Sequence, residues 1–169
     1  MSVEDGIIAS HQLDILVDHG QFWLDNCDRD KAFDDLNILY SSDALARHLG
    51  AAPGLLVIFT ARHYGNVRLT ILLRANQPTD NFTSWDNVAE GSIELPSGRL
   101  AVYGPESYPP ASPPLALPRG VYRVRVYAGG IEALEDEFMQ EGPDHYRAVF
   151  WPAPYEPPAL LHVGFSGPW

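Results

Sequence analysis

Fifteen prolines and fourteen glycines cut this 169-residue chain into short apolar or alternating runs. A chain punctuated this often folds as strands ended by turns, with little room for long helices. The cleanest run is 121–127, where Val121, Arg123, Arg125 and Tyr127 alternate with Tyr122, Val124 and Val126. That period of two predicts a strand with two distinct faces. Leu55-Leu56-Val57-Ile58-Phe59 is continuously apolar and predicts a central strand buried on both faces. Val67, Leu69, Ile71 and Leu73 share one face of the next run, and His63-Tyr64-Gly65-Asn66 supplies a turn that would pair the two as a hairpin.

The same reading gives a first hairpin over Ile7–Val17 and Gln21–Leu24, turning at Asp18-His19-Gly20. Strands are also expected over 85–95, with Gly91 a bulge, over 100–103, over 146–151, and at an edge over 159–163. Helix is confined to two short stretches: Phe33, Leu36 and Leu39 are spaced for one helix face, with a strand at Ile38-Leu39-Tyr40 the alternative, and a second follows the start signal Ser41-Ser42-Asp43, stopped by Gly50. Five prolines between Pro105 and Pro114 exclude a regular element there. Eight or more short strands predict a mostly β protein: an antiparallel β-sandwich with one or two short helices, spanning 1–169 as one domain. A distorted barrel is the alternative.

Charge bears on partners. Twenty-two acidic residues face eleven basic ones, for a net charge of −11, and Lys31 is the one lysine. Asp14, Asp18, Asp25, Asp28, Asp30, Asp34, Asp35 and Asp43 crowd the first quarter. Glu132, Glu135, Asp136, Glu137, Glu141 and Asp144 form a second group with no basic residue among them. Such a surface repels nucleic acid and anionic membrane and attracts basic proteins. With one cysteine, Cys27, no intrachain disulfide can form, which favours a reducing compartment. The acidic start lacks a secretion signal, and no apolar run approaches the ~18 residues of a membrane span, so the chain reads as cytoplasmic.

No motif for catalysis stands out. The histidines are scattered. His11 and His19 could face one another across the expected turn, but two histidines without a third ligand make no metal site. The calcium-loop spacing is absent around Asp28, Asp30, Asp34 and Asp35. Asp28 beside Cys27 disfavours a thiolate. Glu135-Asp136-Glu137 reads as a solvated run rather than an acid–base pair. No phosphate loop is present, so no catalytic residue, metal or cofactor is assigned. Arg123 and Arg125 are expected to pair with carboxylates on the same sheet. Trp23 and Trp151 are expected in the core. The Gly164-Phe165-Ser166-Gly167-Pro168-Trp169 tail is either docked on the body or used at a contact.

Ser10-His11-Gln12-Leu13-Asp14-Ile15 resembles the opening strand of bacterial competence protein J-like proteins. Leu117-Pro118-Arg119-Gly120-Val121-Tyr122-Arg123-Val124 resembles their later turn and strand, and the stretch from Glu94 to Val102 is similar in order and spacing. The resemblance covers about two thirds of the chain and departs from it at the proline-rich loop and at 131–142. It implies a β-sandwich and, for the namesake, inhibition of a DNA-entry nuclease by direct binding. The chain also looks like uncharacterised bacterial proteins ending in a Gly-x-Tyr-Arg-Val-Arg-Val … Trp-Pro-Ala-Pro pattern, here 120–126 and 151–154.

These observations converge on a non-enzymatic acidic binding protein, an inhibitor or immunity protein that neutralises a basic nuclease or toxin. Asp28, Asp30, Asp34, Asp35, Glu135, Asp136 and Glu137 are its expected contact residues. A homodimer is compatible with this reading. The alternatives are an accessory or structural β-domain, or a small-ligand-binding sandwich with a pocket around His11, Trp85 and the arginines.

Overall fold

The computed structural model describes residues 6–30, 36–110, 112–167 and 169. Eleven strands and two short helices follow in the order β1 (Ile7–Val17), β2 (Gln21–Asn26), α1 (Leu36–Leu39), α2 (Ser42–Arg47), β3 (Leu49–Ala52), β4 (Leu55–Phe59), β5 (Gly65–Arg74), β6 (Asn87–Leu95), β7 (Arg99–Tyr103), β8 (Leu115–Ala116), β9 (Gly120–Gly129), β10 (His145–Pro152) and β11 (Ala159–Val163). They form a six-stranded sheet, β1-β5-β10-β9-β6-β11, and a five-stranded sheet, β3-β4-β2-β7-β8. The inner faces share one core, in which Val67, Leu69 and Ile71 of one sheet join Phe22, Leu24 and Leu56 of the other. The protein is a mostly β sandwich, as its alternation predicts.

The strand pairing departs from the sequence reading in three places. First, β1 and β2 belong to different sheets. His19 and Gly20 both have positive φ, 51° and 66°, and the Gln21 amide donates to the Asp18 carbonyl at 3.3 Å. This is a tight turn of the primed type, but the strands diverge at once into opposite layers. Second, β4 and β5 also lie in different sheets instead of forming a hairpin. Inward-facing residues on facing sheets repeat with the same period as those on paired strands, so alternation alone does not separate the two cases. Third, β5 and β10 run parallel. Seventy residues of chain separate the pair, which frees their relative direction from any hairpin constraint.

Gly91 is in register opposite Val124 and is not bulged. It is a point of close approach instead, since a Cβ there would sit 3.1 Å from Leu56 and 3.3 Å from Leu49 of the facing sheet. Gly50 likewise lies within β3. The helix is ended by His48, which takes the left-handed conformation at φ 59°. β4 is buried on both faces as expected: Leu56 and Ile58 face the main core, while Leu55 and Val57 pack with Leu39 of α1.

The outer face of β9 is covered by two loops and carries a buried ionic cluster. Glu90 on β6 accepts from Arg123 Nε at 3.0 Å through one oxygen and from Arg125 Nε at 2.6 Å through the other. Arg123 Nη1 and Nη2 donate to the carbonyls of Glu156 and Pro157, and Arg125 Nη1 to that of Pro78. The two arginines therefore pair within the sheet, as expected. Burial pushes the neighbouring Tyr127 hydroxyl up to about 12, against the lowering effect of Arg125. Glu90→Gln keeps the shape but removes the charge both guanidinium groups share. Its expected cost is about 2–3 kcal/mol in a urea titration, because charged hydrogen bonds are the stronger class. A loss below about 0.5 kcal/mol would show that the cluster is not stabilising.

Candidate functional site

Connecting segments and the C-terminal tail line two adjoining clefts. The larger, about 550 Å³, is walled by Glu132, Glu135, Asp136 and Glu137 against Phe165 and Trp169. The smaller, about 330 Å³, is lined by His19, His48, Phe59 and His63. Ala61, Glu137 and Trp169 belong to both. The four carboxylates are exposed, and none has an arginine or lysine partner among the described residues.

The acidic segment holds its shape because a buried arginine ties it down. Arg62, 1% exposed, lies in the connection between β4 and β5. Its Nε donates to Asp144 Oδ1 at 2.7 Å, and its Nη1 to the carbonyls of Met139 and Gln140 at 2.9 and 3.1 Å. Nη2 donates to the Asn66 carbonyl. Tyr146 donates to the other Asp144 oxygen and accepts from the Ala61 amide. Burial, then the Asp144 charge, raises the Tyr146 pKa well above its ordinary value. The His63 amide donates to the Glu137 carbonyl at 2.7 Å, which places Glu137 at the cleft. Asp144 thus leaves the exposed acidic group in which the sequence sets it. Asp25 is buried too, with Arg29 Nε at 2.7 Å and the Tyr103 hydroxyl at 2.5 Å.

Trp169 closes the cleft floor. Its ring stacks on His48 with centroids 3.6 Å apart and planes 9° from parallel, so this residue is docked on the body. Its indole Nε1 is buried and has no hydrogen-bond partner among the described residues. Burial lowers the His48 pKa from 6.5 to about 4. The unfolded chain therefore takes up a proton below about pH 6.5 that the folded chain refuses until about pH 4. Stability contributed by neutral His48 is complete above the unfolded value and is lost as pH falls through this window. His48→Asn, which tolerates the left-handed conformation, is expected to flatten the drop in urea midpoint between about pH 7 and about pH 5. An unchanged slope would rule His48 out as the titrating group.

The expected contact residues fall in two places. Glu135, Asp136 and Glu137 wall the larger cleft. Asp28 and Asp30 lie at the other end of the five-stranded sheet. β2 runs from Gln21, paired with Phe59 beside the cleft, to Asp25, paired with Leu55, and the two aspartates follow its far end. A strand of that length spans roughly 20 Å. Asp28 is ion-paired with Arg99 at 3.1 Å. Asp34 and Asp35 lie outside the described residues.

Of the pocket expected around His11, Trp85 and the arginines, Trp85 lines a cleft of about 210 Å³ with Arg68, His145 and Arg147. Arg147 sits 4.8 Å over the Trp85 ring. His11 is opposite Ile71 on β1 and does not line this cleft, and Arg123 and Arg125 are engaged by Glu90. His19 does not face His11 either. It packs edge-on against His63, with centroids 5.6 Å apart. Arg62 was missed from the sequence. Its one signal is an arginine three residues past a fully apolar strand, where a buried charge needs a partner.

The chain is thus a two-sheet β-sandwich carrying an acid-walled, aromatic-floored cleft. No family model matches the chain, and no curated protein matches it. Two solved structures share the fold. The protein of crocagin biosynthetic gene J is 20% identical with a TM-score of 0.55, covering 86% of this chain and 99% of its own. ComJ from Bacillus subtilis, an inhibitor of the DNA-degrading activity of NucA, is 16% identical with a TM-score of 0.56, covering 87% of this chain and 97% of its own. The resemblance read from the opening strand and the 117–124 turn thus holds for the fold.

Proposed function

We propose that this protein is a non-enzymatic binding protein that takes a basic segment of a protein partner into the acid-walled cleft, the partner being a nuclease. One observation carries the reading: four unneutralised carboxylates stand around an aromatic floor in a single concave site. A guanidinium or ammonium group entering there meets carboxylates on the rim and the Trp169 ring below, and a cation over an aromatic face gains further attraction. Long-range attraction from the net charge of −11 speeds encounter with a basic surface. The fold shared with an inhibitor of a DNA-degrading nuclease supports the choice of partner class.

The test is co-purification from a lysate of the source organism at low and moderate salt. The captured material is then titrated for plasmid-degrading activity with and without added protein. A captured nuclease that loses activity stoichiometrically, with weaker capture at higher salt, is the expected result. Capture of no nuclease at either salt refutes the reading.

A further inference from the structure

We infer that Asp18, His19 and Glu106 form a divalent-metal site of the zinc class at the corner between β1 and β2. His19 Nε2 lies 3.6 Å from Asp18 Oδ1 and 3.4 Å from Glu106 Oε1, and one ligand atom from each residue falls within 4.8 Å of the others. Ligands bonded at about 2.0–2.1 Å to a tetrahedral ion stand roughly 3.3 Å apart, so the two separations from His19 are close to those of an ion's coordination shell. One imidazole and two carboxylates also make the donor set of an open zinc site, with the remaining position left to water.

A second feature points to a cation independently of that spacing. The Asp18 side chain is 12% exposed, and its Oδ2 is buried with no hydrogen-bond partner among the described residues. Among the described residues no arginine or lysine pairs with this carboxylate. A buried carboxylate oxygen without a donor is costly, and a bound ion removes that cost.

The fold builds the three ligands into place from two separate segments. His19 is held at φ 51°, and its ring is braced edge-on by His63. Gly104 lets the proline-rich loop press onto β1, since a Cβ there would lie 2.2 Å from the Leu16 carbonyl. The Ser107 amide then bonds the Gly104 carbonyl at 2.9 Å, closing a turn that carries Glu106. His19 and Glu106 side chains are 61% and 71% exposed, so an ion has a way in from solvent. A bound ion would pin this loop to the corner that also forms one wall of the smaller cleft. The site does not depend on the partner reading.

The full chain, stripped with chelator, is titrated with Zn²⁺ by calorimetry and thermal melting, and with Co²⁺ by visible absorption. The expected result is one ion per chain, a raised melting midpoint and a Co²⁺ spectrum of low coordination number. Glu106→Gln, an exposed change that leaves the fold intact, and His19→Asn, which suits the left-handed backbone, should each weaken affinity more than about tenfold, as ligand loss exceeds the cost of losing an outer-shell partner. Absence of saturable binding overturns the inference. So does affinity unchanged from the parent chain in both variants, or a thiolate-to-Co²⁺ band placing the ion at Cys27.

Discussion

Arg62→Met is expected to cost about 3–5 kcal/mol of folding stability, because it leaves the buried Asp144 carboxylate without its counter-ion. In a chain of this size that lowers the melting midpoint by on the order of 10 °C. The loss has two parts. Asp144, with its side chain wholly buried, is stranded in low dielectric. The carbonyls of Met139 and Gln140 also lose their donor, so the acidic segment loosens. The double variant Arg62→Met with Asp144→Leu should recover part of the stability, since apolar replacement of a whole buried pair is often close to neutral. It should not recover the shape of the cleft, because the carbonyls stay unbonded. Denaturant titration of both variants measures the effect, and a single-variant loss below about 1 kcal/mol would show that the pair is not what fastens the segment.

Charge reversal in the cleft is expected to have the largest effect on binding. Glu135→Lys, Asp136→Lys and Glu137→Lys together should slow association with a basic nuclease by about 10–10³-fold at low salt, with a smaller effect at high salt. The matching change at the other end of the sheet, Asp28→Lys with Asp30→Lys, should alter the association rate by less than about threefold beyond its effect on net charge. Asp28 is already paired with Arg99 and follows the far end of β2 from the cleft. Surface plasmon resonance across a salt series separates the two. If the Asp28 and Asp30 variant is as impaired as the cleft variant, the partner is recognised by overall charge or at the far end, and the cleft reading falls.

Local pattern was enough for much of the architecture. Alternation at 121–127 sets Tyr122, Val124 and Val126 inward and Arg123, Arg125 and Tyr127 outward. The apolar run 55–59 became a strand covered on both sides. The paired prolines before 159–163 marked an edge strand. These features were legible because a residue's face in a strand depends only on its neighbours two positions away.

The layer to which each strand belongs was not legible. β1 with β2, and β4 with β5, read as hairpins, yet each pair is split between sheets. A turn sets the direction of the returning chain, while the choice of sheet is made by how all inner faces fill one core. The acids show the same division. Composition determined that this protein is strongly negative and which partners that charge disfavours. Only the tertiary structure decided which acids remain available. It buried Asp25 and Asp144 against arginines, turned Asp18 inward beside His19, and stood Glu132, Glu135, Asp136 and Glu137 around Trp169. The reason is that a carboxylate's role depends on its distance to other charges and to water, and those distances are set by contacts between residues far apart in the chain.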